Sequence, residues 1–301
     1  MLEMKNVTKT FDGFKALDDL ILTVPKGAVY GLVGPNGAGK STAIRHLTGV
    51  YRPDCGEITL EGTPIFENPA AKQRIGYIPD DIFYFPSASL EEMRRFYKGI
   101  YPNFDDDLFQ KLYEVFQLPR KGQIRRFSKG MQKQAAFHLA ICCKPDVLIL
   151  DEPVDGLDPV MRRQVWSLLL SDVSQRETTV LVSSHNLREL EDVCDHVGIM
   201  DKGKLLATGD LESLRAMVSP KLKLRVKANH VPCDIEYRKC EGSVYDIEVN
   251  SEQEIPLIVK KIVDAGGDIY HVSEKQISLE EIYFSLLEKN HGRTEVKNDE
   301  R

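Results

Sequence analysis

The residues best placed to do chemistry are Gly34, Pro35, Asn36, Gly37, Ala38, Gly39, Lys40 and Ser41, a glycine-rich turn closed by a lysine and a hydroxyl. The turn follows the apolar run 28–33. After it comes a stretch of helical spacing, 41–49, with Ile44, Leu47 and Thr48 on one side. A strand that breaks into such a turn and restarts as a helix is the context in which the GxxxxGKS pattern grips phosphate. Glycines let the backbone approach, amide hydrogens converge, and the helix N-terminus adds a favourable partial positive charge. Lys40 is expected to reach the β- and γ-phosphates of ATP, and the Ser41 hydroxyl to bind Mg2+. A second pair, Asp151 and Glu152, ends the apolar run 147–150. Asp151 is suited to complete a magnesium site. Glu152 is suited to orient and deprotonate an attacking water.

These residues need a frame that brings 34–41 and 151–152 together. The runs 28–33, 147–150 and 180–182 are continuously apolar and end in polar residues, with helical segments between them. Buried parallel strands read this way, which implies an α/β sheet with its ligand at the carboxyl ends of the strands. Residues 58–60 and 64–66 read as one hairpin and 197–200 with 204–207 as another, each around a glycine turn. Between 87 and 143 the pattern is helical. Ser89 with Glu92 fits a capping box, Asp105 or Asp106 can cap a second helix, and Ser128 a third. Ser219-Pro220 marks a break. Beyond it, 222–226, 244–249 and 268–272 read as strands, 255–262 and 282–287 as helices, and 291–301 as a polar, disordered tail. The expected division is 1–215, with a helical part at about 85–143, then a small α+β domain at 220–290.

Composition narrows the classes. Of the 301 residues, 42% are hydrophobic and 29% charged, as in ordinary globular proteins. A net charge of −6 argues against broad nucleic-acid binding. No stretch reaches the roughly 20 apolar residues of a membrane helix, and no apolar signal region follows the start. A cytosolic chain is expected, its six cysteines kept as thiols.

With these motifs in this order, 1–215 resembles the nucleotide-binding subunit of the ATP-binding cassette (ABC) family. Gly34 through Thr42 match the Walker A loop, and 147–153 the Walker B strand with its glutamate. Asp155-Gly156-Leu157-Asp158 match the D-loop, and His185, after Ser183-Ser184, the switch histidine. Phe11 falls where the family places an aromatic under adenine. The resemblance implies a P-loop NTPase sheet of the ABC ATPase type with a helical signature subdomain, and the small C-terminal α+β domain beside it. It implies a dimer in which Ser128 and Gly130 of one subunit, and Asp158 nearby, attend the ATP held by the other. It also implies separate integral membrane permease subunits, and a place on the inner face of the cell membrane. Whether the dimer is of identical or different ATPase subunits stays open.

Two motifs depart from the family pattern. The signature reads Phe127-Ser128-Lys129-Gly130-Met131. Asp80 stands where the family has the Q-loop glutamine, able to bind Mg2+ but not to donate a hydrogen bond when ionised. Downstream, 82–86 and 97–101 are rich in aromatics. Packing the helical subdomain's own core and lining a groove for a permease helix are equally good readings. The leading function is an ATPase that powers a transporter of the bacterial exporter type. A non-transport ABC ATPase of translation, repair or assembly is the alternative. A phosphotransferase would leave Ser128, 155–158 and His185 unexplained.

Overall fold

The computed structural model describes residues 1–219, 221–240 and 242–298, with side chains through Asn290. It divides into two units, Met1–Gly209 and Asp210–Arg301.

The first unit opens with two long strands, β1 (Leu2–Phe11) and β2 (Phe14–Val24), paired antiparallel. Strand β3 (Val29–Val33) leads through the glycine-rich turn into helix α1 (Lys40–Leu47). Next come β4 (Cys55–Leu60) and β5 (Thr63–Pro64), the expected hairpin with Leu60 opposite Thr63. They extend the first sheet in the order β2-β1-β4-β5. The short helix α2 (Pro69–Lys72) and strand β6 (Ile75–Ile78) follow.

The helical part consists of α3 (Leu90–Ile100), α4 (Asp106–Phe116) and α5 (Lys129–Cys142). Ser89 and Glu92 form the expected reciprocal capping box on α3. Asp105 caps α4 by accepting from the Leu108 amide, and Asp106 instead pairs with Arg94. Then β7 (Val147–Asp151), α6 (Pro159–Arg176), β8 (Thr179–Ser183), α7 (Leu187–Val193), β9 (His196–Asp201) and β10 (Lys204–Asp210) complete the second sheet, ordered β10-β9-β3-β8-β7-β6. Strands β9, β3, β8, β7 and β6 run parallel to one another. Every residue of β3, β7 and β8 is buried, which is why these strands read as unbroken apolar runs.

Ala43, Ile44 and Leu47 turn the inner side of α1 into a core shared with Leu2, Met4 and Leu22 of the first sheet and Ile149 and Leu181 of the second. Burying a side chain such as Ile44 contributes about 1.5–3 kcal/mol, so this core holds the helix N-terminus in place against the sheet ends.

The second unit begins with α8 (Leu211–Val218), which the sequence reading had left partly in the first domain. Its sheet joins β11 (Leu222–Ala228), β12 (Tyr237–Lys239), β13 (Val244–Val249) and β14 (Ile269–Glu274) in the order β12-β13-β11-β14. Leu224, Val226, Tyr245 and Ile247 face a small core with Ile262 of α9 (Ile255–Asp264). The last helix, α10, spans Leu279–Asn298, so a helix runs where an irregular tail was expected from 291. Glu288, Lys289, Arg293, Glu295 and Lys297 are all good helix formers, which the reading based on polarity alone did not weigh. Residues 299–301 of that expected tail, and Pro220 of the expected break, lie outside the described residues.

Candidate active site

The site starts from the N-terminus of α1. Gly39 holds the cap position at φ 104°, a left-handed conformation open to glycine, and no side chain caps the helix. A Cβ on Gly39 would lie 2.7 Å from the Ala16 carbonyl oxygen, and one on Gly34 2.4 Å from that of Met200. The turn is therefore pressed against its neighbours and can be built only from glycine at these two points. Pro35 accepts from the Ala38 amide at 3.1 Å, closing the loop, while Asn36 and Gly37 are exposed at its tip. Lys40 is buried, and its ammonium donates to the carbonyls of Gly34 at 2.7 Å and Pro35 at 3.2 Å. Burial pulls its pKa down, opposed by the carboxylates of Glu152 and Asp151. Thr42 lies one residue further along α1, its carbonyl 2.7 Å from His46 Nδ1.

Strand β7 delivers Asp151 to the same place. Its Oδ1 accepts from the Ser41 hydroxyl at 3.4 Å and from Ser183 at the end of β8. Asp151 is buried among hydroxyl donors, beside a phosphate-gripping loop. The structure sets the Lys40 ammonium against this carboxylate, and the oxygens of Asp151 and Ser41 form a donor set that suits a hard divalent ion such as Mg2+.

Glu152, one residue on, occupies a left-handed conformation at φ 46°. Its amide donates to the Ser183 carbonyl at 3.1 Å. His185 donates to its carboxylate twice, through Nδ1 at 3.0 Å and the backbone amide at 3.3 Å. Burial raises the pKa of Glu152, His185 opposes the rise and Asp155 adds to it, so the carboxylate is more basic than an ordinary glutamate. The His185 side chain is 66% exposed, so the pair opens towards solvent. One ligand-type atom each from Glu152, Asp155 and His185 lie within 4.8 Å of one another.

Asp80 lies just beyond β6. It is exposed, and the partner the structure assigns it is Lys133 of α5, at 3.5 Å. Electrostatics explains the pairing, because a buried ammonium draws a nearby carboxylate. Asp158 stands at the start of α6. Its carboxylate caps α6, accepting from Val160 and Met161 at 3.0 Å each. Ser128 caps α5 through the Met131 amide at 3.2 Å, as the sequence suggested. Gly130 sits so close to Gly156 that a Cβ would lie 2.8 Å from its carbonyl oxygen. Among the described residues neither Ser128 nor Gly130 is hydrogen-bonded to the phosphate loop. Phe11 is 39% exposed and packs edge-on against Tyr51 at 5.6 Å, a surface aromatic rather than a core one.

Sequence reasoning missed Lys133 and the contribution of Ser183 to Asp151. Lys133 carried one signal, a charged residue inside the apolar stretch 133–143.

The aromatic stretch divides between both readings. Tyr84 is buried and donates to the Gln132 carbonyl at 2.7 Å, while Phe109 and Phe116 fill the helical core. Phe83, Phe85 and Phe96 are exposed, and with Met93 and Ile100 they line a groove of about 230 Å³.

A parallel sheet carrying a phosphate loop, a hydroxyl-supported aspartate and a histidine-bound glutamate at its strand ends defines a nucleoside-triphosphatase of the cassette class. The model of the ABC transporter family matches residues 17–155. The ATP-binding protein YtrB of Bacillus subtilis, an ABC transporter protein, is 30% identical over 275 residues, covering 90% of this chain and 86% of that protein. The chain belongs to the ABC transporter family as an ATP-binding subunit, an ATPase that powers transport. The Nod factor export ATP-binding protein I of Cupriavidus metallidurans is 36% identical over 215 residues, 69% of this chain and 71% of that one. Among solved structures, the ATP-binding subunit of an ABC transporter aligns with a TM-score of 0.68 at 28% identity, covering 72% of this chain and 92% of that one.

Proposed function

We propose that this subunit hydrolyses Mg-ATP for a bacterial ABC exporter, as one half of a two-subunit clamp seated on membrane permease subunits. The observation that carries the reading is the Glu152–His185 pair at 3.0 Å, one residue from the hydroxyl-supported Asp151 and beside Lys40. Amides at the start of α1 and the Lys40 ammonium bind the phosphates. Ser41 and Asp151 would hold Mg2+, which would neutralise charge on the phosphate oxygens. Glu152 takes the proton from the attacking water, and His185 fixes the carboxylate by donating through Nδ1. Ser128 and Gly130 attend the γ-phosphate of the ATP bound by the second subunit, and Phe11 stacks on adenine.

Two further observations favour this reading over a free-standing ATPase. Phe83, Phe85 and Phe96 present an apolar groove of the kind that receives a helix, here one from the permease. A relative matched over most of its length is an export protein by name. No helix among the described residues is long and apolar enough to cross a membrane, so the permease supplies the peripheral attachment to the inner membrane face.

The test is to purify a tagged chain from membranes and reconstitute what accompanies it. An integral membrane protein that stimulates ATP hydrolysis, with ATP-driven efflux, is the expected result. Co-sedimentation with ribosomes and no membrane partner would favour the non-transport alternative.

A further inference from the structure

Lys133 is a charged side chain where the fold has little room for one. It lies in the second turn of α5, among the buried residues Gln134, Ala135, Ala136 and Phe137, and is itself only 6% exposed. Burying an ammonium is costly unless it is paired and hydrogen-bonded. Its two partners come from distant segments. The ammonium donates to the backbone carbonyl of Glu152, and lies 3.5 Å from Asp80 Oδ1 at the end of β6.

The carbonyl it holds belongs to a strained residue. Glu152 sits at φ 46°, where an L side chain crowds its own carbonyl. That conformation persists only if its surroundings impose it. Ser183 holds the amide side, His185 the carboxylate, and Lys133 the carbonyl side. Relaxing φ turns the chain about the N–Cα bond of Glu152, and with the amide held by Ser183 this would swing both the carbonyl and the carboxylate that His185 holds.

We infer that Lys133 is a positioning residue for hydrolysis, using its ammonium to lock the left-handed backbone of Glu152 and to tether the Asp80 loop to the same point. The inference rests on Glu152 being the base. Asp80 is then half of a charge pair, and the unusual aspartate after β6 and the unusual lysine in α5 form one device. The helix that carries this lock also begins at Ser128 and Gly130, with Gly130 packed on Gly156. Displacement of the start of α5 therefore bears on the base in the same chain.

The test uses the full chain with steady-state ATP hydrolysis and melting temperature. Lys133→Met keeps the length of the stem and removes the donor. It should lower kcat about tenfold or more, the scale for a displaced catalytic group, and leave KM for ATP within about twofold. In a Glu152→Gln background the same change should cost nothing further, because Lys133 acts through Glu152. Lys133→Met and Asp80→Asn should combine to less than the product of their separate effects. If Lys133→Met unfolds the chain, Asp80→Asn at its exposed position carries the test alone, lowering kcat several-fold at constant KM. Wild-type kcat in a folded Lys133→Met chain, or in Asp80→Asn when that variant stands alone, overturns the inference. So does an equal rise in KM, or fully multiplicative effects. If Glu152→Gln itself keeps wild-type turnover, the reading of the base fails first, and that outcome is separate from a silent Lys133.

Discussion

The phosphate loop and the glutamate corner lie on adjoining strand ends, yet they are built by opposite means. The loop is a local object. Its residues are contiguous, two of its glycines are required by backbone contacts at Ala16 and Met200, and its lysine bonds back onto its own turn. The corner is assembled from four separate segments. Glu152 comes from β7, Ser183 and His185 from the end of β8, Asp80 from the end of β6, and Lys133 from α5. A nucleotide-binding element can therefore be made by a short stretch of chain, whereas placing a base demands agreement among several elements. The first should tolerate changes elsewhere in the fold, and the second should not.

The widest separation is expected between Glu152 and Lys40. Glu152→Gln should cut turnover on the order of 10²-fold, the scale for losing a general base, while fluorescent-nucleotide titration still shows binding near wild type. Lys40→Ala should instead weaken nucleotide binding about 10- to 100-fold, as expected for losing hydrogen bonds from a charged donor. Equal effects of both variants on affinity would erase the distinction between loop and corner.

A smaller effect should come from the seat of α5, on which the corner hangs. His138 is fully buried, its ring 4.3 Å from Phe109 and 4.8 Å from Tyr113, with Nε2 donating to the Phe109 carbonyl at 2.7 Å. Burial lowers its pKa to about 4, outweighing the opposing pull of that hydrogen bond, and Arg120 pushes the same way as burial. The unfolded histidine titrates near 6.5, so the unfolded chain takes up the proton first as pH falls. The stability contributed by neutral His138 is complete above about pH 6.5 and is lost as pH falls towards about 4, by up to about 3 kcal/mol. Urea unfolding at pH 7.5 and 4.5 should show this loss, and His138→Gln should flatten that part of it. An unchanged slope in the variant would move the acid sensitivity elsewhere.

The smallest expected change is at Asp80. Asp80→Gln keeps a polar side chain but removes the carboxylate that Lys133 faces. The ATPase rate should change at least a few-fold, a modest effect because this carboxylate is exposed. The same rate with and without the permease would mean that the pair contributes nothing to turnover.

Much of the molecule was legible before any coordinates. The runs 147–150 and 180–182 announced buried parallel strands because every position in them is enclosed, and the capping box at Ser89 is a rule acting over four residues. The aromatic stretch was legible only in part. Its composition could not separate Tyr84, whose hydroxyl finds a buried carbonyl, from Phe83 beside it, which points outward. Asp158 was read from its motif alone, and its role as the cap of α6, accepting from the free amides of the helix it precedes, was not read.

The sequence by itself determined the phosphate loop, the family and the burial of the sheet's central strands, because contiguous residues and short-range periodicity encode all three; the order of those strands came from the fold. Only the tertiary structure decided which side chains surround Glu152. The links from Asp80 to Lys133 and from Lys133 to Glu152 span 53 and 19 residues, and no local pattern specifies such pairings. They arise because burying an ammonium in α5 forces it to find oxygen, and the fold presents two oxygens at that point: the strained carbonyl of Glu152 and the carboxylate of Asp80.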